Sequence, residues 1–256
     1  MEISQEHTEN LRERGYCIVP DAFTQAEVTK MREIVLQNKD EMPNTRRAEH
    51  SRHMAGFERF AVFRQLFDMI DGNDALNRFY TSFFGGEQFS SFGLSDITVN
   101  RSQHWHSDLL RGKYSAYLSQ IDPWAADAGA CIKSLVYLQP GKSLQLVCGS
   151  HKTETPLDDS LIQNLVSGLD VVSVSVSAGD IVMMDIRCLH RGSTDEAMSD
   201  PALTGAPKIL VSNVYAADCC GVRDAMLRGN ADRLARWDSL HLGDRNRLGD
   251  PVASPV

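Results

Sequence analysis

The stretch Gln103–Asp108, "QHWHSD", places two histidines and an aspartate at alternating positions. In an extended strand alternate side chains point to the same face, so His104, His106 and Asp108 are expected on one side. Imidazole nitrogens and a carboxylate oxygen are ligands that transition metals accept, but neighbouring side chains on one strand do not complete a directional site. A further ligand must therefore come from elsewhere in the chain. We interpret His104 as facing solvent or supporting the ligands, with a three-histidine site as the alternative.

The further ligand is expected in "SAGDIVMMDIRCLHRGS", where an apolar run follows the Gly179–Asp180 turn and leads to His190. We interpret the run as a strand that ends at His190 and holds this histidine at the mouth of a barrel. Together with His106 and Asp108 it would form a set of two histidines and one carboxylate. That set suits non-haem Fe(II) and leaves coordination positions open for a chelating co-substrate and dioxygen.

The predicted secondary structure that must position these residues changes once along the chain, from mainly helix to mainly strand. Residues 1–90 are predicted to be mainly helical, and Thr24 followed by Glu27 predicts a capping box at a helix start. Residues 91–217 contain short β-branched or apolar runs separated by turns, a pattern typical of a barrel or sandwich. Residues 218–256 are predicted to be helical or irregular. The predicted strands are "ITVNR", "YSAYLSQ", "CIKSLVYL", "LQLV", "VVSVSV", "IVMMDI" and "KILVSNVYA".

Composition narrows the classes of function. A net charge of −8 argues against a nucleic acid as partner, because that binding needs concentrated Lys and Arg, and so favours a small-molecule substrate. The polar start does not resemble a signal peptide and no apolar run is long enough to cross a membrane. We therefore expect a cytoplasmic protein with no membrane partner and with reduced cysteines. Residues 1–256 are expected to form a single domain that is a monomer or homodimer.

Four stretches, in the order in which they occur, resemble segments of one enzyme family. They are "LRERGYCIVPDAFTQAEVTKMREIV", "WHSD", "SLVYLQPGKSLQLVCGSHK" and "VSAGDIVMMDIRCLHRGS". They are similar to four segments of the phytanoyl-CoA hydroxylase-like Fe(II)/2-oxoglutarate-dependent dioxygenases. The first resembles that family's opening helix, strand and capped helix, and the second resembles its first metal-ligand motif. The third resembles its segment ending in Gly-Ser-His, and the fourth its distal-histidine strand. An isolated His-x-Asp triplet would be weak, whereas four landmarks in order are specific.

The resemblance implies a mainly β fold with flanking helices and a double-stranded β-helix core, also called a jelly roll or cupin-like barrel. It implies that His106, Asp108 and His190 bind Fe(II) and are the catalytic residues, with 2-oxoglutarate as co-substrate and O2 as oxidant. The implied reaction oxidises an unactivated C–H bond of a small metabolite, for example in specialised metabolism, and yields succinate and CO2. The carboxylate ligand favours hydroxylation or another oxidation over halogenation, since the halogenases of this class lack it. Related enzymes also desaturate, cyclise or epimerise.

One landmark of that family departs from its usual form. The family anchors the distal carboxylate of 2-oxoglutarate with an arginine shortly after the distal histidine, but "TDEAMSDPALTGA" contains no arginine. Lys208, at the start of the next strand, is predicted to replace it, although lysine lacks the bidentate fork of arginine. Arg191 and Arg101 are alternative anchors, and Asn100 is a further candidate for binding the co-substrate.

Other functions stay open on the sequence. One is an iron oxygenase of the same barrel fold that does not use 2-oxoglutarate, which the missing arginine allows. Another is a jelly-roll protein that binds a metal or ligand without turnover, and a purely structural β-sandwich is the least favoured. Arg46, Arg47 and Arg52 are candidates for contacting an anionic substrate, although a solvated loop is the favoured interpretation of their segment.

Overall fold

The computed structural model describes residues 5–241, 248–249 and 251, which contain ten strands and seven α-helices. The strands are β1 Tyr16–Val19, β2 Arg52–Ala55, β3 Phe89–Ser91, β4 Asp96–Val99, β5 Cys131–Tyr137, β6 Gly141–Val147, β7 Val171–Val176, β8 Ile181–Asp185, β9 His190–Arg191 and β10 Ile209–Ala217. The helices are α1 Gln5–Arg14, α2 Gln25–Asn38, α3 Arg64–Asp71, α4 Asp74–Phe83, α5 Asp159–Leu165, α6 Asp195–Met198 and α7 Arg223–His241.

The strands form two antiparallel sheets. The larger is seven-stranded in the order β1-β8-β5-β10-β4-β2, with β3 also paired to β10, and the smaller is three-stranded in the order β7-β6-β9. One apolar cluster takes its side chains from both sheets, among them Leu135 of β5 and Leu146 of β6. The sheets therefore pack face to face. The prediction of a mainly β fold with a jelly-roll core and flanking helices is confirmed, although β1 and β2 of the larger sheet come from the mainly helical first 90 residues.

Strand β5 shows how the sequence separates the two faces of the larger sheet. Leu135 and Tyr137 belong to the cluster between the sheets, whereas Ile132 and Val136 belong to the cluster on the helical side. Because successive side chains in a strand point to opposite faces, a central strand covered on both sides is apolar on both. All seven residues of β5 are buried. The same alternation puts Lys133 on the face between the sheets.

The helical layer begins with the predicted capping box. The Glu27 backbone N–H donates to Thr24 Oγ1 at 3.3 Å, and the Thr24 backbone N–H donates to Glu27 Oε2 at 2.7 Å, so the prediction is confirmed. Helix α2 then buries Val28, Met31 and Val35 in the cluster on the outer face of the larger sheet. None of the helices in the described part of the chain has the length and apolar character needed to span a bilayer.

One predicted strand is wrong. Most of "YSAYLSQ" lies in a 3-10 helix, Gly112–Leu118. Tyr114 and Tyr117 are three residues apart, which places them on one side of a 3-10 helix, and both pack against a cluster that includes Met226 of α7. The aromatic residues that favour a strand in isolation are here used to pack this short helix against α7, because tertiary contacts override a local preference.

Candidate functional site

A turn after β8 positions His190. The apolar run was predicted to be one strand ending at His190, but β8 ends at Asp185 and His190 begins β9, in the smaller sheet. Asp185 accepts a hydrogen bond from the Arg187 backbone N–H at 2.9 Å and pairs with its guanidinium at 2.6 Å. This ion pair closes the turn and leads the chain from one sheet to the other. His190 thereby faces the gap between the sheets.

Backbone hydrogen bonds bring the predicted ligands together. His106 and His190 exchange N–H to carbonyl bonds of 2.9 Å in both directions, and the Asp108 N–H donates to the Ile186 carbonyl at 2.8 Å. One ligand atom from each of His106, Asp108 and His190 lies within 4.8 Å of the others. The two Nε2 atoms are 3.7 and 3.4 Å from the Asp108 carboxylate. The donors thus converge on one point as a facial set.

The ring orientation of both histidines is fixed by the backbone. His106 Nδ1 lies 2.6 Å from the His104 carbonyl oxygen, and His190 Nδ1 lies 3.0 Å from the Cys188 carbonyl oxygen. A carbonyl can only accept, so each Nδ1 carries the proton and each Nε2 directs a lone pair into the space between the three side chains. Two imidazole nitrogens and one carboxylate oxygen in this arrangement fit non-haem Fe(II).

The electrostatics keep the three side chains in the protonation states that a metal requires. Burial, followed by the nearby His190, lowers the pKa of His106 well below its usual value, and burial also lowers the pKa of His190. Both rings are therefore neutral at pH 7. Burial alone would raise the pKa of Asp108, but Lys133 and the two histidines outweigh it and hold that pKa below its usual range. The carboxylate is thus ionised.

Lys133 is a site residue that sequence reasoning missed. Its Nζ donates to Asp108 Oδ2 at 2.9 Å, and both side chains are largely buried, at 11% and 12% exposure. A signal was present, since "CIKSLVYL" carries one lysine in an otherwise apolar or small-residue strand, and lysine is almost never buried without a partner. Its partner follows only from the tertiary structure.

A first cavity runs between the sheets from His190 towards the start of β10. Lys133 and Tyr137 line it from β5, and Lys208 lies on its wall directly before β10. The predicted anchor and a predicted metal ligand therefore border one cavity. Lys208 is partly buried and forms no side-chain hydrogen bond or ion pair with the described residues.

Asn100 lies beside Lys208 but uses its amide on the backbone. Its Oδ1 accepts a hydrogen bond from the Lys208 N–H at 2.8 Å, and its Nδ2 donates to the Leu203 carbonyl at 3.1 Å. Its φ of 47° is in the left-handed region, which asparagine tolerates better than most residues. Asn100 does not line the first cavity. Both polar atoms of its amide are thus used to fix the backbone at Lys208 and Leu203, and its role as a co-substrate contact stays a prediction.

Other candidates lie away from the convergence point. Arg191 donates to Gln145 Oε1 at 2.6 Å and covers the Trp105 ring at 5.2 Å, so its guanidinium is engaged outside the first cavity. The His104 side chain is 75% exposed and its Nε2 lies 3.7 Å from Asp195. His104 therefore faces solvent, as interpreted from the sequence, and the three-histidine alternative is not supported.

His53, on β2, makes the stability of the fold dependent on pH. Burial, helped by the positive charge of Arg101, lowers its pKa from 6.5 to about 4. Between these pH values the unfolded chain binds a proton that the folded chain excludes, so stability present above pH 6.5 is lost as the pH falls towards 4. This amounts to about 3 kcal/mol.

Urea unfolding at pH 7 and pH 4.5 tests this dependence. We expect His53→Gln to lose much less unfolding free energy over that interval than the wild type, with His104→Gln as the exposed matched control. An equal loss in the wild type and His53→Gln would show that His53 is not the group responsible.

Comparison with known proteins identifies the fold. No protein-family model and no curated protein matches the chain in sequence. Among solved structures it is similar to the non-haem alpha-ketoglutarate-dependent carbocyclase SnoK from nogalamycin biosynthesis (17% identity, 84% of each chain, TM-score 0.61). It is also similar to HygX from Streptomyces hygroscopicus with nickel, 2-oxoglutarate and hygromycin B bound (17% identity, 84% of this chain and 88% of that chain, TM-score 0.60). AviO1 from Streptomyces viridochromogenes Tue57 shares 16% identity over 86% of this chain and 98% of its own, with a TM-score of 0.60. The chain thus has the fold of these proteins, as the resemblance in its sequence predicted.

Proposed function

We propose that this protein is an Fe(II)- and 2-oxoglutarate-dependent dioxygenase that oxidises a C–H bond of a small molecule, with hydroxylation as the favoured outcome. The observation that carries the proposal is the convergence of His106, Asp108 and His190 within 4.8 Å, with both imidazole Nδ1 atoms bonded to backbone carbonyls. A purely structural site with four protein ligands would leave no room for a co-substrate. Three ligands on one face leave coordination positions open for one.

The neighbouring structures support the same class. HygX has been seen with nickel and 2-oxoglutarate bound, and SnoK is described as alpha-ketoglutarate-dependent. SnoK is a carbocyclase and another neighbour, SnoN, is an epimerase, so the fold serves several oxidative outcomes. The carboxylate ligand, Asp108, is present in this chain, which favours hydroxylation or another oxidation over halogenation.

In the proposed mechanism each residue has a defined task. His106, Asp108 and His190 would hold Fe(II), which when bound supplies the activation of dioxygen for a reaction that converts 2-oxoglutarate to succinate and CO2. Lys133 keeps Asp108 ionised and oriented through the 2.9 Å ion pair. Lys208 would bind the distal carboxylate of 2-oxoglutarate in the first cavity.

Anaerobic titration of the metal-free protein with Fe(II) and then 2-oxoglutarate tests this function. We expect the visible charge-transfer band of a chelated 2-oxo acid in the wild type. In Lys208→Ala the affinity for 2-oxoglutarate should fall about ten- to hundredfold, because a hydrogen bond between two charged groups is lost. Lys208→Arg should restore most of it, and Lys142→Ala, an exposed lysine on β6, is the matched control.

The possible outcomes of this titration distinguish the co-substrate and its anchor. If iron binds but no band forms at high 2-oxoglutarate, the co-substrate assignment fails and the oxygenase that does not use 2-oxoglutarate is favoured. If the band forms equally well in Lys208→Ala, another residue anchors the co-substrate. Succinate release during a screen of small-molecule substrates then identifies productive ligands.

A further inference from the structure

A second cavity, of about 340 Å³, reaches the same site from another direction. Asp108 lies on its wall, whereas His190 lies on the wall of the first cavity. Four residues border both cavities: Asp96, Arg101, Gln103 and Lys133. If the co-substrate occupies the first cavity, the second is the space from which another molecule can approach the metal. Five apolar or aromatic side chains line it: Leu94, Leu109, Leu110, Tyr114 and Val214.

The charged residues of this second cavity are not balanced. Four cations, Arg101, Arg111, Arg233 and Lys133, face three carboxylates, Asp96, Asp108 and Asp159. Three ion pairs account for all the carboxylates: Arg233 with Asp96 at 3.2 Å, Arg111 with Asp159 at 2.6 Å and Lys133 with Asp108 at 2.9 Å. A divalent metal on Asp108 would add to the positive excess.

Arg101 is the cation left over. Its guanidinium forms no hydrogen bond or ion pair with any residue in the described part of the chain, and its Nε is buried without a partner. Burial, followed by the positive charge of Arg46, lowers its pKa to about 10, so it is still charged at neutral pH. Arg101 as a whole is half-buried, and a cation partly removed from water without a partner is costly unless a ligand compensates it.

We infer that the second cavity binds an amphipathic organic acid through Arg101, with its carboxylate on the guanidinium and its apolar body against the leucines and Tyr114. A planar guanidinium matches a carboxylate in two parallel hydrogen bonds. Arg101 also borders the first cavity, so 2-oxoglutarate is the competing occupant, and the experiment below includes it. Naming this acid as the substrate rests on the proposed function; the anion site itself does not.

Fluorine NMR with two matched probes tests the inference. 4-Fluorobenzoate and 4-fluorobenzamide have nearly the same shape and differ in charge. They are titrated into metal-free protein and into protein loaded with Ni(II) and 2-oxoglutarate. The nickel-loaded protein is used because it cannot turn over. The variants are Arg101→Gln and Arg101→Lys, and Arg78→Gln, which removes an exposed arginine from α4, is the control.

We expect the wild type and Arg78→Gln to prefer the benzoate in both forms of the protein. Arg101→Gln should weaken benzoate binding about tenfold or more and leave the benzamide unchanged, since a charged hydrogen-bond partner is lost. The benzoate affinity of Arg101→Lys should lie between those of the wild type and Arg101→Gln, because lysine keeps the charge but not the planar fork of arginine. If Arg101→Gln does not fold, Arg101→Lys takes its place in the test: a weaker preference for the benzoate than in the wild type supports the inference, and an equal preference contradicts it.

Three results would overturn the inference: equal binding of the two probes to the wild type, an unchanged preference in Arg101→Gln, or displacement of the benzoate by 2-oxoglutarate. The last would assign Arg101 to the co-substrate. Failure of 2-oxoglutarate to bind would contradict the proposed function, and the metal-free titration would still decide on the anion site.

Discussion

Replacing His106 with alanine is expected to weaken Fe(II) binding at least roughly a hundredfold and to remove the charge-transfer band with 2-oxoglutarate. Structural zinc held by four protein ligands is bound by about 10–16 kcal/mol, or roughly 3 kcal/mol for each ligand. His106 is one of only three ligands in the proposed site, and its ring is held in place by the 2.6 Å bond from Nδ1 to a backbone carbonyl.

His104→Ala is the matched control for this experiment. His104 is two residues earlier, 75% exposed, and contributes to the site only its backbone carbonyl, which alanine retains. Iron affinity, the visible band and succinate release should therefore be close to wild type in His104→Ala. Equal loss in the two variants would reject the assignment of ligands. Retention of the band in His106→Ala would mean that another residue completes the site.

Replacing Lys133 with methionine should lower the free energy of unfolding of the metal-free protein by about 3 kcal/mol, because the buried Asp108 carboxylate loses its only cationic partner among the described residues. The Nζ to Oδ2 distance is 2.9 Å, and neither side chain is more than 12% exposed. A bound divalent cation would compensate the same carboxylate. Addition of Ni(II) should therefore stabilise Lys133→Met more than it stabilises the wild type.

Urea unfolding in the presence of a chelator and then of Ni(II) measures both effects. Lys113→Met is the matched control: Lys113 pairs with Asp232 at 3.5 Å at the surface, with side chains 52% and 43% exposed. Exposed pairs contribute about 0–1 kcal/mol, so that change should be small and should not depend on metal. A similar small loss in Lys133→Met, or the absence of extra stabilisation by metal, would show that Lys133 does not balance the Asp108 charge.

The proposed metal ligands and much of the fold could be predicted from the sequence. His106 and Asp108 are close along the chain and His190 follows an apolar strand, so their types and context identify them before any packing is known. The capping box at Thr24 depends on a contact between residues three positions apart. Patterns of this kind are local, because strand alternation and helix capping act over a few residues.

Tertiary structure alone decided how the site is charged. Lys133 and Asp108 are 25 residues apart in the sequence, and their pairing depends on how β5 packs beside the segment that carries the ligands. Arg101 is a surplus cation only because packing half-buries it and because the neighbouring carboxylates already have partners. Neither property has a local signature, since desolvation and ion pairing depend on which distant residues come together.

The paths of two segments also required the tertiary structure. The turn at Asp185, which moves His190 into the smaller sheet, is closed by the ion pair with Arg187, and the stretch around Tyr114 forms a 3-10 helix because it packs on α7. In both segments the sequence is compatible with a strand, and contacts with other elements select the observed path. The sequence therefore determined which side chains can hold the metal, and the tertiary structure decided which charges surround it, because only packing brings distant charges together out of water.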